Sequence, residues 1–175
     1  VKKSTVLSKQ RLAFRFPYKT TGIKEITMSV ESTIEDLTRR WLKAAASNDV
    51  DAVMALYHPA IRSFDAILAM QVEGAKAYRE HWKKCMKACP ADPFFEMHDL
   101  KVETSDSLAV SHSLTHCGAT VEGEQQGGWM RVTQVWQRNG DQWQILHEHF
   151  SSPFNPEDMS LIMDWQPDHA PVRFR

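Results

Sequence analysis

An α+β fold, with three N-terminal helices packed on one face of a strongly curved antiparallel sheet into a cone, is what this 175-residue sequence predicts. Two amphipathic helical stretches fill the first half, near residues 33–47 and 75–89. After Pro93 the pattern changes to four β-rich runs separated by turn-forming residues. Helices first and a run of consecutive strands afterwards is the order of a segregated α+β domain, not of an alternating parallel one.

The first helix is announced by Ser32 with Glu35 three residues later, the spacing of a capping box. Ile34, Leu37, Trp41, Ala44 and Ala45 then recur on one face. Asp49 is placed to cap a short second helix through Val53, Met54, Leu56 and Tyr57, which Pro59 ends. "AIRSFDAIL" has β character and "VEG" supplies a turn. "AKAYREHWKKCMKAC" reads as a third helix with Ala75, Tyr78, Trp82, Cys85 and Cys89 inward, stopped by Pro90. The strands are expected over 94–104, 107–120, 128–138 and 142–151, with turns at Ser105-Asp106, Gly123 to Gly128 and Asn139-Gly140. Beyond Pro153, Asn155 and Pro156 suggest a short helix carrying Met159, Ile162, Met163 and Trp165. This extension is read either as a lid over the mouth of the cone or as a strap docked on a neighbouring subunit.

Composition narrows the function. Residues 1–24 hold seven basic side chains and no acidic one, leaving 14 basic against 22 acidic residues in the remainder, a net of −8. An acidic domain gains nothing from a phosphate backbone, so nucleic acid is not an expected partner. No apolar run approaches the roughly 20 residues of a membrane helix, and no membrane role is expected. The basic leader, 1–28, lacks a secretory apolar core. It reads as an extension ahead of a start at Met28, with an organellar transit peptide as the alternative, and a cytoplasmic location is expected. The three cysteines, Cys85, Cys89 and Cys117, give no disulfide or zinc framework.

The stretches "RRWLKAAASNDVDAVMALYHP", "FDAI", "VEGAKAYREHW" and "TQVWQRNGDQWQILHEHFSSP", together spanning 33 to 154, resemble the nuclear transport factor 2-like superfamily. That superfamily includes ketosteroid isomerase, SnoaL-like polyketide cyclases and the association domain of calcium/calmodulin-dependent kinase. The resemblance implies one domain over 29–154, an extension over 155–175, a pocket inside the cone, and a convex sheet face used for homodimerisation. It also implies Asp65 in the position of the isomerase's catalytic base, Trp41 in that of its oxyanion-binding tyrosine and Gln134 in that of its protonated aspartic acid.

Strand alternation extends this alignment. It aims His112, Leu114 and His116 inward from one strand, Met130, Val132, Gln134 and Trp136 from the next, and Leu146, Glu148 and Phe150 from the last. Asp65 and Glu148 become the candidate catalytic carboxylates of an apolar pocket lined by Trp41, His112, His116, Met130, Gln134, Trp136 and Phe150. Burial would raise a carboxyl pKa there toward the range useful for acid–base work. The competing reading has Asp65 capping a turn and Glu148 in a structural network. Trp129, Thr133, Val135, Trp143, Ile145, His147 and His149 fall on the convex face, where that much apolar surface implies a second subunit.

No metal and no cofactor are expected: His112 and His116 lie about 13 Å apart along a strand, long for joint ligation of one ion. The expected activity is cofactor-free proton transfer of isomerase, cyclase or dehydratase type on an apolar carbonyl-containing molecule. A non-catalytic ligand-binding or oligomerisation module is the alternative.

Overall fold

The computed structural model describes residues 29–89 and 92–168. The leader, its alternative start at Met28 and the helix stop at Pro90 lie outside the described residues. Helix α1 spans Val30–Ala46, α2 Val50–Met54 and α3 Ala75–Ala88; strands β1 to β6 span Tyr57–Phe64, Val72–Glu73, Pro93–Thr104, Leu108–Val121, Glu124–Asn139 and Gln142–Ser151. The α+β architecture expected from the sequence is therefore present. The sheet runs β2-β1-β6-β5-β4-β3. β3 to β6 form the antiparallel meander, and β1 inserts beside β6 in parallel.

Several boundaries differ from the sequence reading, each for a local reason. Helix α1 starts earlier, capped by Ser29, whose hydroxyl accepts from the Ser32 amide at 3.1 Å. Asp49 caps α2 as expected, accepting from Ala52 N at 2.9 Å. Helix α2 stops at Met54, however, and Tyr57 already begins β1 with Pro59 inside that strand. The turn between β4 and β5 is only Glu122-Gly123, both with positive φ (54° and 85°), as a tight two-residue hairpin requires. Gly127 and Gly128 consequently lie within β5.

That hairpin fixes the register, Val121 opposite Glu124 and His112 opposite Thr133, and so fixes which way β4 looks. Ala109, Ser111, Thr115 and Cys117 share the inner face with Met130, Val132, Gln134 and Trp136, whereas His112, Leu114 and His116 share the outer face with Thr133 and Trp129. A second irregularity falls in β6. Val135 pairs with His147 but Trp136 pairs with Ile145, so Leu146 is the extra residue of a bulge. The bulge puts Trp143 and Ile145 inward below it, and Glu148 and Phe150 inward above it.

The core is the seam between α1, α3 and the inner face: Ile34, Trp41 and Ala45 of α1 meet Tyr78 and Trp82 of α3 and Val132, Trp136, Ile145 and Phe150 of the sheet. After β6 the chain makes a turn, not a helix. Asn155 Oδ1 accepts from Glu157 N and Asp158 Oδ1 from Ser160 N, a side-chain competition with the backbone that diverts the segment from helix. The chain then returns along the edge of β5 that β6 leaves unpaired, with Trp129 N donating to Met163 O at 2.9 Å. The strap thus docks on its own subunit.

Candidate active site

Between α3, the inner face of the sheet and the strap lies a cavity of about 480 Å3. Trp82, Met86, Phe95, Met130, Phe150 and Met163 are among its apolar lining, and Asp65, His81 and Ser152 supply its polar side chains together with the three cysteine thiols. The loop after β1 brings Asp65 to the wall and closes on itself, Asp65 Oδ1 accepting from Ile67 N at 2.8 Å. The other oxygen, Oδ2, faces His81 Nε2 of α3 at 3.0 Å. Both side chains are about nine-tenths buried, at 11% and 8% exposed. Asp65 therefore holds the turn expected of it in the structural reading and also orients an imidazole.

With Nε2–H donating to Asp65, the basic atom of His81 is Nδ1, which takes no hydrogen bond among the described residues. Cys85 Sγ also contacts Nε2, at 3.4 Å. A nucleophilic thiol triad needs the thiol and the carboxylate on opposite ring nitrogens, and here they share one. Burial further pushes the Cys85 thiol up to about 11 and Cys117 to about 12, so both are neutral wall.

Behind the wall lies a buried polar network centred on Glu148, which is fully inaccessible. Its Oε1 accepts from Tyr78 at 2.6 Å and Tyr57 at 2.8 Å, and its Oε2 from Gln134 Nε2 at 2.7 Å. Trp41 Nε1 donates to the Tyr57 oxygen at 2.7 Å, and Trp136 Nε1 to Ser111 Oγ at 2.9 Å. Burial raises the Glu148 carboxyl to about 7, with the Asp65 charge adding to the rise and the Tyr78, Gln134 and Tyr57 hydrogen bonds opposing it. Burial, reinforced by the charge of Glu148, holds both phenols well above their ordinary range, so they remain donors at neutral pH.

These placements sort the residues expected from the sequence. Asp65, Met130 and Phe150 line the cavity. Trp41, Gln134, Trp136 and Glu148 lie one layer beneath it, fully buried. The indole N–H of Trp41 donates to Tyr57 and the amide of Gln134 donates to Glu148, and neither residue is on the cavity wall. His112 and His116 are on the outer face. His112 is exposed there, and His116 stacks on Trp129 at 4.9 Å. The four-residue set of His112, His116, Asp65 and Glu148 is split between two faces, and no metal-binding cluster occurs among the described residues.

Of the expected interface residues, Thr133, Val135, His147 and His149 do lie outward. Ile145 is core because of the bulge at Leu146, and Trp129 is covered by Trp165 of the strap at 4.7 Å. Sequence reading missed His81, Tyr57 and Tyr78 as site residues. The signal for His81 was its place between Tyr78 and Cys85 on the inward face of α3.

An α+β cone enclosing an apolar cavity with one carboxylate–imidazole pair defines the class. The SnoaL-like domain family matches residues 34–155, and the chain belongs to that family. Among solved structures, an NTF2-like protein of unknown function from Pseudomonas putida KT2440 is 40% identical, with a TM-score of 0.73 over 78% of this chain and 96% of that one. A proposed dehydratase of the NTF2-like family from Streptomyces avermitilis is 15% identical, with a TM-score of 0.61 over 69% and 93%. A proposed calcium/calmodulin-dependent protein kinase II association domain from Xanthomonas campestris is 18% identical, with a TM-score of 0.60 over 68% and 84%. These last two share the fold. No curated protein matches the chain. No helix among the described residues is long and apolar enough to cross a membrane.

Proposed function

We propose that this SnoaL-like protein binds an apolar, carbonyl-containing small molecule and moves a proton on it without a cofactor, as an isomerase, cyclase or dehydratase does. The observation that carries the reading is the Asp65–His81 pair, 3.0 Å apart, on the wall of an otherwise apolar cavity. His81 takes a proton from carbon next to the carbonyl. Asp65 holds the imidazole in the tautomer with Nδ1 free and stabilises the imidazolium that forms, which can return the proton at a second position or to a leaving hydroxyl. Asp65 moves from the base expected from the sequence to the group that orients one, since its own oxygens are committed to Ile67 N and His81.

A screen of apolar β-hydroxy ketones and their α,β-unsaturated partners tests this. His81→Gln is expected to lower turnover by about 10²–10⁴-fold, with Asp65→Asn following it and the retained substrate affinity changing little. Unchanged turnover in both variants contradicts the reading.

A second reading, an oligomerisation module, draws on the outer face, where Phe64 packs edge-on against His147 at 4.9 Å beside Thr133 and Val135. We place a homodimer contact there, compatible with catalysis in the cavity on the opposite face. Native mass spectrometry reports the subunit count and any retained ligand mass together; a monomer at micromolar concentration contradicts the dimer.

A further inference from the structure

Glu148 is buried, titratable and unused by the reaction above, yet only one side chain separates it from the reactive pair. Tyr78 Oη lies 2.6 Å from Glu148 Oε1 and 3.4 Å from Asp65 Oδ2, and Asp65 Oδ2 is the oxygen that holds His81. The Tyr78 ring also stacks on His81, with centroids 5.8 Å apart and planes at 16°. One phenolic proton thus stands between two carboxylates. We propose that Glu148 is a positioning residue for the Asp65–His81 pair and acts through the direction of the Tyr78 hydroxyl.

The proton inventory fixes how this works. With Glu148 ionised, Tyr78, Tyr57 and Gln134 all donate to it, and Asp65 Oδ2 relies on the His81 N–H while facing a lone pair of Tyr78. With Glu148 protonated on Oε1, that O–H needs an acceptor, and the Tyr78 oxygen is beside it. Tyr57 and Gln134 still satisfy the carboxyl's other oxygen, with Tyr57 Oη 2.8 Å from Oε2 as well. The Tyr78 proton then turns to Asp65, drawing its charge away from His81 and weakening the hydrogen bond that holds the imidazole. No bond between heavy atoms changes. One proton enters at Glu148 and one hydroxyl rotates.

The groups around Glu148 leave little else to answer its charge. Tyr57 comes from β1 with Trp41 of α1 behind it, Tyr78 from α3, Gln134 from β5 with Ser111 of β4 behind it, and Asp65 from the loop after β1. Around His81 the facing groups are Asp65, Cys85 and the Tyr78 ring. No cation pairs with Glu148 among the described residues. A change of charge at Glu148 is therefore answered chiefly by hydroxyl protons, and Tyr78 is the one that also reaches Asp65.

The inference rests on reading Asp65–His81 as the reactive pair, and its test does not require turnover. In the full chain labelled with 15N and 13C, the His81 imidazole, identified by its loss in His81→Gln, is followed against pH alongside the Glu148 carboxyl carbon, identified by its loss in Glu148→Gln. The expected result is a second inflection of His81 at the midpoint of Glu148. It is absent in Glu148→Gln and reduced at least threefold in Tyr78→Phe, in which Glu148 itself still titrates.

A His81 curve with no inflection at that midpoint overturns the proposal, as does a full-sized inflection in Tyr78→Phe, which would make the coupling a through-space charge effect. If Tyr78→Phe does not fold, the phenolic carbon of Tyr78 in the unsubstituted protein decides. Movement at the same midpoint supports the relay and a flat curve overturns it. An intact relay in a protein whose His81→Gln variant keeps full turnover overturns the proposed reaction and leaves the relay standing.

Discussion

Glu148 holds its proton more tightly in the folded protein than in the unfolded chain, rising from 4.5 to about 7. Between those values the native state binds the extra proton, so stability is fully present below about pH 4.5 and is lost as pH rises through 7. A shift of that size corresponds to about 3 kcal/mol. Glu148→Gln removes this slope, because an amide fills the same space uncharged and Gln134 can turn its amide to offer oxygen. Urea denaturation at pH 5 and pH 8 is expected to show the variant gaining on the parent at the higher pH. Equal differences at both pH values would mean that Glu148 is not held protonated by the fold.

The inward aim of Glu148 was legible in the sequence because alternation counted from Gln134 survives to that position. The network was not legible, since Tyr57 was assigned to a helix and nothing in "KAYREHW" says that Tyr78 reaches across to β6. His81 was hidden by its type: a histidine within a run of lysines and arginines reads as surface until the helix phase is counted closely.

At the scale of elements, two local irregularities decided which expectations held. The two-residue hairpin at Glu122-Gly123 sets β4 one residue away from the phase that a loop through Gly128 would give, and that reversed His112 and His116. The bulge at Leu146 sent Ile145 and Trp143 to the core and left Glu148 and Phe150 where alternation put them. Neither carries a sequence mark stronger than a single glycine or leucine. The two long helices, α1 and α3, were read more securely, because side-chain spacing over about four turns averages out such slips.

The strap supplies the element-scale prediction. A Cβ on Gly128 would come within 2.5–2.7 Å of the Met163 side chain, including its Cβ, so the strap cannot accommodate it by a terminal rotation alone. Gly128→Ala is expected to cost about 1–3 kcal/mol by overpacking and to lift the strap from the cavity wall. Faster labelling of the cavity thiols by a neutral maleimide, with the far-ultraviolet dichroism unchanged, is the expected readout. An unchanged labelling rate would mean that Met163 does not close the wall.

Over the whole molecule, the sheet works as a partition. Its inner face carries the buried acid Glu148 and faces the cavity that Asp65 and His81 line, while its outer face carries Phe64, Thr133, Val135, His147 and His149. The two proposed roles, chemistry within and association without, therefore need not compete, and a substitution such as Val135→Lys is expected to shift the dimer to monomer by native mass spectrometry while leaving ligand retention intact. Loss of both together would show that the two faces are coupled. The fold was legible at this scale because the order of helices and strands and the spacing of apolar residues constrain it jointly.

The central claim is that His81, held by Asp65, moves a proton on carbon next to a carbonyl. The measurement that meets it most directly is deuterium uptake in heavy water by a panel of aryl and cyclic ketones incubated with the protein, read by mass spectrometry. The account predicts enzyme-dependent exchange at the α-carbon of at least one ketone, reduced about 10²-fold or more in His81→Gln and impaired in Asp65→Asn. Exchange equally fast in His81→Gln, or none for ketones shown to bind the protein, would contradict it.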